Sequence, residues 1–92
     1  MIKTFKHKGL EKFFTRGIAS GIQSGHVKKL RNQLYLLEAA ESANDLNMPG
    51  YDLHRLKGKK CDIWSIKVNG NWRLTFEFID GNVYILNYED YH

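Results

Sequence analysis

The C-terminal end of the chain carries side chains that can donate, accept and transfer protons: Tyr88, Glu89, Asp90, Tyr91 and His92. None of them is aliphatic, so packing against a hydrophobic core does not explain why they occur together. Carboxylates, imidazoles and phenols are the groups that proteins use for general acid and base catalysis. We therefore interpret this end of the chain as one half of an active site.

The other half is expected to be basic, since the 92 residues include 14 Lys and Arg against 10 Asp and Glu, for a net charge of +4. Residues 1–37 hold eight basic and one acidic side chain, residues 38–52 hold four acidic and no basic ones, and residues 53–73 hold six basic and one acidic. This distribution favours a polyanionic partner such as a nucleic acid. A solvated surface that keeps a small domain soluble explains the charge alone equally well.

Length and composition predict a single domain over residues 1–92, because 42% hydrophobic content is enough for one core at this size. The start of the chain lacks the apolar region of a signal peptide, and no apolar run approaches the ~20 residues of a membrane span. We therefore expect a cytoplasmic protein with no membrane partner. Cys61 is the only cysteine and the four histidines are scattered, so we expect no metal site and no cofactor.

Hydrophobic periodicity and turn residues predict an α+β fold, in which two N-terminal helices cover one face of a small antiparallel sheet. Ser24 is a candidate N-cap of the second helix. Residues 51–60 intersperse leucines with charges, and we interpret them as a loop. The predicted elements are a short strand at 2–5, a helix at 7–16 ending at Gly17, a helix at 25–43, and strands at 62–68, 72–79 and 82–88.

The Asp80-Gly81 turn predicts which residues of the last hairpin share a face. As a two-residue loop it pairs Ile79 with Asn82, Phe76 with Ile85, and Arg73 with Tyr88. The predicted core face then consists of Phe76, Phe78, Val83 and Ile85. The opposite, polar face carries Arg73, Thr75, Glu77, Tyr84, Leu86 and Tyr88, and strand alternation adds Asp90 and His92 with Ser65 and Lys67 nearby.

The Asn69-Gly70 turn sets the preceding hairpin. A strict two-residue loop would place Ile66 beside Arg73, whereas a three-residue loop that includes Asn71 matches apolar residues with apolar residues. We prefer the three-residue loop. It sets Trp64, Ile66 and Val68 beside Phe76, Leu74 and Trp72.

With these elements in place, the chain resembles HigB-type toxins of the RelE/ParE superfamily over nearly its full length. Leu-x-Gly, Trp-Arg and Asp-Tyr-His occur in the family's order and spacing, and together they are fairly specific. The resemblance is carried by the opening Met1-Ile2-Lys3-Thr4-Phe5-Lys6-His7-Lys8-Gly9-Leu10, by Leu53-His54-Arg55-Leu56-Lys57-Gly58, by Asn71-Trp72-Arg73-Leu74-Thr75-Phe76, and by Asn87-Tyr88-Glu89-Asp90-Tyr91-His92.

The resemblance implies a RelE-like fold, with a short N-terminal strand and three C-terminal strands packed against the two helices. It also implies a ribosome-dependent endoribonuclease that cleaves mRNA in the ribosomal A site, where it contacts 16S rRNA. A HigA-type helix-turn-helix antitoxin would neutralise the toxin, and the toxin would contact DNA only indirectly through the antitoxin complex.

RNA cleavage without a metal needs a base for the ribose 2′-hydroxyl, a cation for the phosphate and an acid for the leaving 5′-oxygen. Histidines titrate near neutral pH, and arginine binds phosphate through two parallel hydrogen bonds. Which residue is the acid and which the base stays open. The residues that match the family motif as catalytic candidates are His54, Asp90, Tyr91 and His92, and the candidates for phosphate or RNA binding are Lys57, Lys59, Lys60 and Arg73.

Each candidate also has a structural alternative. His54 can be a surface residue, the lysine run a solvated face, Arg73 an ion-pair partner of Glu77 or Glu89, and Tyr91 a core side chain. Two other functions remain open: a ParE-like inhibitor that acts by binding DNA gyrase, and a catalytically inactive relative that acts as a partner. We favour the ribonuclease, because a gyrase inhibitor has no need of proton-transfer groups beside a phosphate-binding arginine.

Overall fold

A computed structural model of the chain describes residues 1–56 and 63–90. Helices α1 and α2 precede a four-stranded antiparallel sheet, which confirms the predicted α+β fold. Within the described ranges, no helix has the length and apolar content that a membrane crossing requires. The elements are α1 (Lys8–Arg16), α2 (Val27–Ala39), β1 (His54–Leu56), β2 (Ile63–Asn69), β3 (Trp72–Ile79) and β4 (Asn82–Asp90).

Helix α1 has the bounds that the sequence predicts to within one residue. Nδ1 of His7 accepts a hydrogen bond from the backbone N–H of Leu10 at 2.9 Å, which caps the first turn. Gly17 ends the helix in the left-handed region at φ 73°, where glycine lacks the steric penalty of other residues. Local sequence therefore determines both ends of α1.

Helix α2 is shorter than the predicted 25–43. Ser24 is not its N-cap, because Ser24–His26 form a 3₁₀ turn and His26 occupies the cap position without a side-chain hydrogen bond. Ala40 leaves the helix in an extended conformation at ψ 136°, and a second 3₁₀ turn follows at Ala43–Leu46. The three- and four-residue spacing of apolar side chains predicts a stripe on this helix over Val27, Leu30, Leu34, Leu37 and Ala40. The structure confirms the stripe, which enters the core through the buried leucines Leu30, Leu34 and Leu37.

The predicted N-terminal strand is present only as two isolated parallel bridges. Ile2 bridges Val83 and Phe5 bridges Leu86, so this segment lies along the outer side of β4. The fourth strand of the sheet is instead β1, in a region that the sequence predicted to be a loop. Strands follow one another in the order β1-β2-β3-β4, and the helices cover the face that carries Ile66, Leu74, Phe76, Val83 and Leu86.

The hairpin of β2 and β3 largely has the predicted register. Trp64 pairs with Phe76 and Ile66 pairs with Leu74, as expected. The register shifts between Lys67 and Asn69, so that Asn69 rather than Val68 stands opposite Trp72. The extra residue that we placed in the loop is therefore a bulge inside β2.

The register predicted for β3 and β4 is correct only next to the turn. Ile79 pairs with Asn82, but the register shifts between Thr75 and Glu77, which pair with Asn87 and Tyr84. This shift is a bulge in β4 that includes Ile85, whose φ of 47° is in the left-handed region. Consequently Leu86 and Tyr88 are buried, at 0% and 3% exposure, whereas Ile85 is 43% exposed.

Because of this bulge, the residues on the two faces of the sheet differ from those predicted. Arg73 stands opposite Glu89, not Tyr88, and Leu74 stands opposite Tyr88. Asp90 pairs with Trp72, so strand alternation places it on the opposite face of the sheet from Arg73. The prediction that Arg73, Tyr88 and Asp90 share one face is therefore wrong.

Candidate functional site

The sheet face turned away from the helices carries a polar patch at one end. Lys67, Arg73 and Glu89 form one row across β2, β3 and β4. The adjacent row starts at His54 on β1 and continues through Ser65, Thr75 and Asn87. The sheet thereby brings together residues from four strands, in a region that the sequence predicted would be polar.

Arg73 is held at the centre of this patch. Its NH2 donates to Oδ2 of Asp52 at 2.9 Å, and its NH1 lies 3.3 Å from the Ser65 hydroxyl oxygen, which accepts. The Arg73 side chain is only 20% exposed. Among the described residues its carboxylate partner is Asp52, not Glu77 or Glu89 as the structural alternative suggested. The guanidinium is therefore oriented before any ligand binds.

His54 lies on the other side of the same carboxylate. Its Nδ1 is 3.0 Å from the backbone oxygen of Asp52 and 3.4 Å from Oδ1 of the same residue. Both neighbours are hydrogen-bond acceptors, so Nδ1 is assigned as the protonated nitrogen. In the neutral imidazole the lone pair is then on Nε2, which leaves that atom available to accept a proton.

Asp52 is the site residue that the sequence interpretation missed. The hydrogen bond from Arg73 holds the pKa of the Asp52 carboxyl below its usual range, and the protonated form of His54 would lower it further. Its backbone has a φ of 50°, which directs the side chain and the carbonyl toward His54 and Arg73. The sequence feature that could have identified Asp52 is its position, after a Pro-Gly turn and two residues before a candidate histidine.

Glu89 has a separate hydrogen-bond arrangement on the same face. Its Oε2 accepts from the Thr75 hydroxyl at 3.1 Å and from the Asn87 side-chain amide at 2.8 Å. These two donors belong to the adjacent row, and they fix the Glu89 carboxylate within the row that contains Arg73. From the sequence, Glu89 belongs to the reactive chain end and is considered only as a structural partner of Arg73, with no catalytic role.

The cleft beside His54 and Arg73 has a volume of about 280 Å³, near the lower end of the range for small-molecule pockets. A cation, an imidazole and a buried hydroxyl line it, and residues of the β2–β3 turn complete its wall. Its lining residues are His54, Leu56, Ser65, Gly70, Asn71 and Arg73. This arrangement suits an anionic ligand that has a transferable proton close to its charged group.

The structure therefore brings together two of the residues predicted from sequence, His54 and Arg73. Asp90 lies at the end of β4 opposite Trp72, and strand alternation places it on the face opposite the cleft. Within the described ranges, no group of three or more His, Cys, Asp or Glu side chains could hold a metal ion. The remaining candidates, Lys57, Lys59, Lys60, Tyr91 and His92, lie outside the described residues.

Tyr88 has a structural environment. Its hydroxyl lies 2.7 Å from Nδ1 of His26 and accepts a longer hydrogen bond from the Gln23 N–H at 3.4 Å. Its ring stacks on Trp72 with a centroid separation of 4.6 Å. Burial raises the pKa of the Tyr88 phenol, so the hydroxyl is a neutral partner for His26 within the core.

The α+β fold, with helices on one face of the sheet and an Arg–His cleft on the other, is consistent with a RelE-like toxin. A family model described as a RelE-like toxin of the type II toxin-antitoxin system HigB matches residues 3–92. The chain belongs to this HigB-like toxin family. It is accordingly the toxin of a type II system and the counterpart of an antitoxin, which confirms the family resemblance.

Full-length relatives agree with this assignment. Endoribonuclease HigB from Proteus vulgaris is 49% identical over 92 residues, and the alignment covers all of both chains. Toxin HigB-1 from Vibrio cholerae serotype O1 is 36% identical over 98 aligned positions, covering all of this chain and 98% of the relative. The similarity therefore extends over the entire sequence.

Proposed function

We propose that this toxin is an endoribonuclease that cleaves mRNA in the ribosomal A site and thereby inhibits translation and growth. The observation that carries the proposal is the convergence of His54 and Arg73 on one cleft, with Asp52 contacting both. The name of the Proteus vulgaris relative, an endoribonuclease, supports the same activity.

The cleft favours attack by the substrate's own 2′-hydroxyl. Nε2 of His54 accepts the proton as the 2′-oxygen forms a bond to the adjacent phosphorus, and the bond to the 5′-oxygen breaks. An acid then protonates the departing 5′-oxygen, and we assign this role to one of the two C-terminal candidates, Tyr91 or His92. The products are a 2′,3′-cyclic phosphate and a free 5′-hydroxyl. All proton transfers are made by side chains, with no metal bound by the protein.

Arg73 stabilises the charge that develops on the phosphate oxygens. A guanidinium already oriented by Asp52 and Ser65 loses little conformational freedom when the phosphate arrives. Lys57, Lys59 and Lys60 add positive charge for binding the RNA backbone, and multiple phosphate contacts of this kind make binding steeply dependent on salt.

The remaining partners follow from the same proposal. The domain over residues 1–92 acts in the cytoplasm, contacts 16S rRNA at the A site, and is neutralised by a HigA-type helix-turn-helix antitoxin. DNA is contacted only through the antitoxin complex.

The test is cleavage of a defined mRNA on programmed ribosomes, with the 5′ ends mapped to codon positions. We expect cuts at A-site codons from the wild-type toxin, and a loss of roughly 10²–10⁴ in rate for His54→Ala. His7→Gln, which alters a helix cap outside the cleft, is the histidine control. Uncut mRNA together with inhibition of gyrase supercoiling would replace the proposal with the gyrase alternative.

A further inference from the structure

Ser65 lies on β2, between the strands that carry the base and the cation of the proposed mechanism. It pairs directly with His54 on β1, and its hydroxyl oxygen accepts a hydrogen bond at 3.3 Å from NH1 of Arg73 on β3. All three side chains line the same cleft. The base must reach the 2′-oxygen while the cation reaches the adjacent phosphate. The phosphate is therefore expected over β2, against Ser65.

The Ser65 hydroxyl uses its oxygen for Arg73 and keeps its proton. A serine hydroxyl has one donor proton and two acceptor lone pairs, and the hydrogen bond from Arg73 occupies one of the lone pairs. Toward the residues that the structure describes, the hydroxyl makes no hydrogen bond as a donor. Its proton is therefore free to bind an acceptor that enters the cleft.

The surroundings of the Ser65 hydroxyl make it a strong donor. The guanidinium that donates to its oxygen is positively charged, and this donation polarises the O–H bond. Ser65 is also only 2% exposed, so little water competes for the proton and the local dielectric is low. A hydrogen bond from this hydroxyl to an anion is therefore expected to be stronger than one from a serine on the open surface.

The next buried hydroxyl in the same row shows the opposite arrangement. Thr75 pairs with Ser65 across β2 and β3 and is also buried, at 8% exposure. Its hydroxyl, however, donates to Oε2 of Glu89 at 3.1 Å, and Thr75 is not among the residues that line the cleft. Of these two neighbouring hydroxyls, Ser65 alone faces the cleft with a proton to donate.

We infer that Ser65 is a catalytic hydrogen-bond donor to a non-bridging oxygen of the scissile phosphate, a role that rests on the proposed function and deepens it. As the 2′-oxygen bonds to phosphorus, negative charge grows on the non-bridging oxygens, and the hydrogen bond from Ser65 becomes stronger. The proton stays on the serine throughout, and no covalent bond to Ser65 forms. Arg73 and Ser65 thus stabilise the same developing charge from neighbouring strands.

The first experiment measures single-turnover cleavage of a defined mRNA on programmed ribosomes by Ser65→Ala. We expect the rate constant to fall roughly 10–10²-fold, as for the loss of one hydrogen bond to a charged group. Affinity for the programmed ribosome should stay at the wild-type value, because the bond is strongest in the transition state. Circular dichroism establishes folding. Ser65→Cys has a similar volume and only a weak S–H donor, so it should also be slower and decides the question if Ser65→Ala does not fold.

Sulfur substitution in the phosphate separates direct contact from an effect through Arg73. Sulfur is a weaker hydrogen-bond acceptor than oxygen, so one of the two phosphorothioate diastereomers at the cut position should slow the wild-type toxin more than the other. Ser65→Ala lacks the donor and should show a smaller penalty for that diastereomer. Thr75→Val removes the neighbouring buried hydroxyl and is the matched control, which should keep the wild-type ratio between the diastereomers.

The outcomes distinguish this role from the proposed function. Wild-type cleavage rates in folded Ser65→Ala would overturn the role of Ser65 and leave the nuclease proposal standing. A slower rate with an unchanged phosphorothioate penalty would also overturn it, and would make Ser65 a positioning residue for Arg73. Absence of mRNA cleavage by the wild-type toxin would instead remove the nuclease proposal itself, and the role of Ser65 with it.

Discussion

The Arg73 guanidinium donates to the Asp52 carboxylate at 2.9 Å, although the two residues are 21 positions apart in the chain. Asp52 also faces Nδ1 of His54 through its backbone oxygen. One acidic residue therefore fixes both the cation and the imidazole of the candidate site.

Arg73→Ala should abolish toxicity while the protein stays folded, because Arg73 lies on the polar face rather than in the hydrophobic core. The expected loss in single-turnover mRNA cleavage is on the order of 10²–10³, typical of removing one preorganised group that stabilises transition-state charge. Arg16→Ala, at the exposed end of α1, is the control and should cleave normally. Full activity of folded Arg73→Ala would show that the cleft is not the catalytic site.

The Asp52–Arg73 pair should give stability a specific pH dependence. The pKa of Asp52 is lowered in the folded protein, so the pair stabilises the fold above the ordinary aspartate pKa of about 3.9 and is lost as pH falls through the lower folded value. The difference in thermal midpoint between the wild type and Asp52→Asn should therefore be largest near neutral pH and should shrink under acid. Asp80→Asn, at the β3–β4 turn, is the control. A difference that grows toward low pH would contradict this pairing.

Replacing Ile85 should stabilise the protein. Ile85 is β-branched and 43% exposed, and its φ of 47° is a left-handed conformation that costs roughly 1–2 kcal/mol for most residues. Asparagine adopts this conformation more readily, so Ile85→Asn should raise the thermal midpoint by a few degrees. Ile79→Asn removes a similar side chain from regular strand geometry and should give no increase. Equal effects of the two substitutions would argue against the bulge.

Tyr88→Phe should lower stability without affecting the chemistry. The substitution leaves Nδ1 of His26 without its 2.7 Å partner inside the core, at an expected cost of about 1–3 kcal/mol in the free energy of unfolding. Urea denaturation measures this cost, with Tyr84→Phe on the other face as the control. If Tyr88 instead belonged to the catalytic face, cleavage per folded molecule would fall while stability changed little.

A messenger with 2′-deoxyribose or 2′-O-methylribose just upstream of the cut should bind the ribosome–toxin complex and resist cleavage. The proposed mechanism uses the 2′-oxygen as the nucleophile, which the deoxyribose lacks and which the methyl group blocks. Products from normal messenger should end in a cyclic 2′,3′-phosphate or a 3′-phosphate, which mass spectrometry identifies. Efficient cutting of the deoxy substrate, or 3′-hydroxyl products, would instead require an external water as the nucleophile.

The sequence by itself determined the features that depend on neighbouring residues. The His7 cap and Gly17 define α1 locally, the leucine stripe defines the buried face of α2, and Asp80-Gly81 defines the last hairpin. Motif order was also sufficient to identify the HigB-like family, which the comparison over residues 3–92 confirms. The chemistry of His54 and Arg73 and this motif order are also enough to identify both as candidates for the functional site.

Only the tertiary structure decided which residues share the functional face. The bulge at Ile85 exchanges the faces of all later residues in β4, and the Ile85 N–H in this bulge donates to the Thr4 hydroxyl, 81 positions away. Asp52 likewise acquires its role from Arg73, on a distant strand. The local pattern of apolar and polar residues does not reveal such long-range contacts. Because side chains alternate between faces along a strand, one extra residue is enough to reverse the prediction of which side chains are buried.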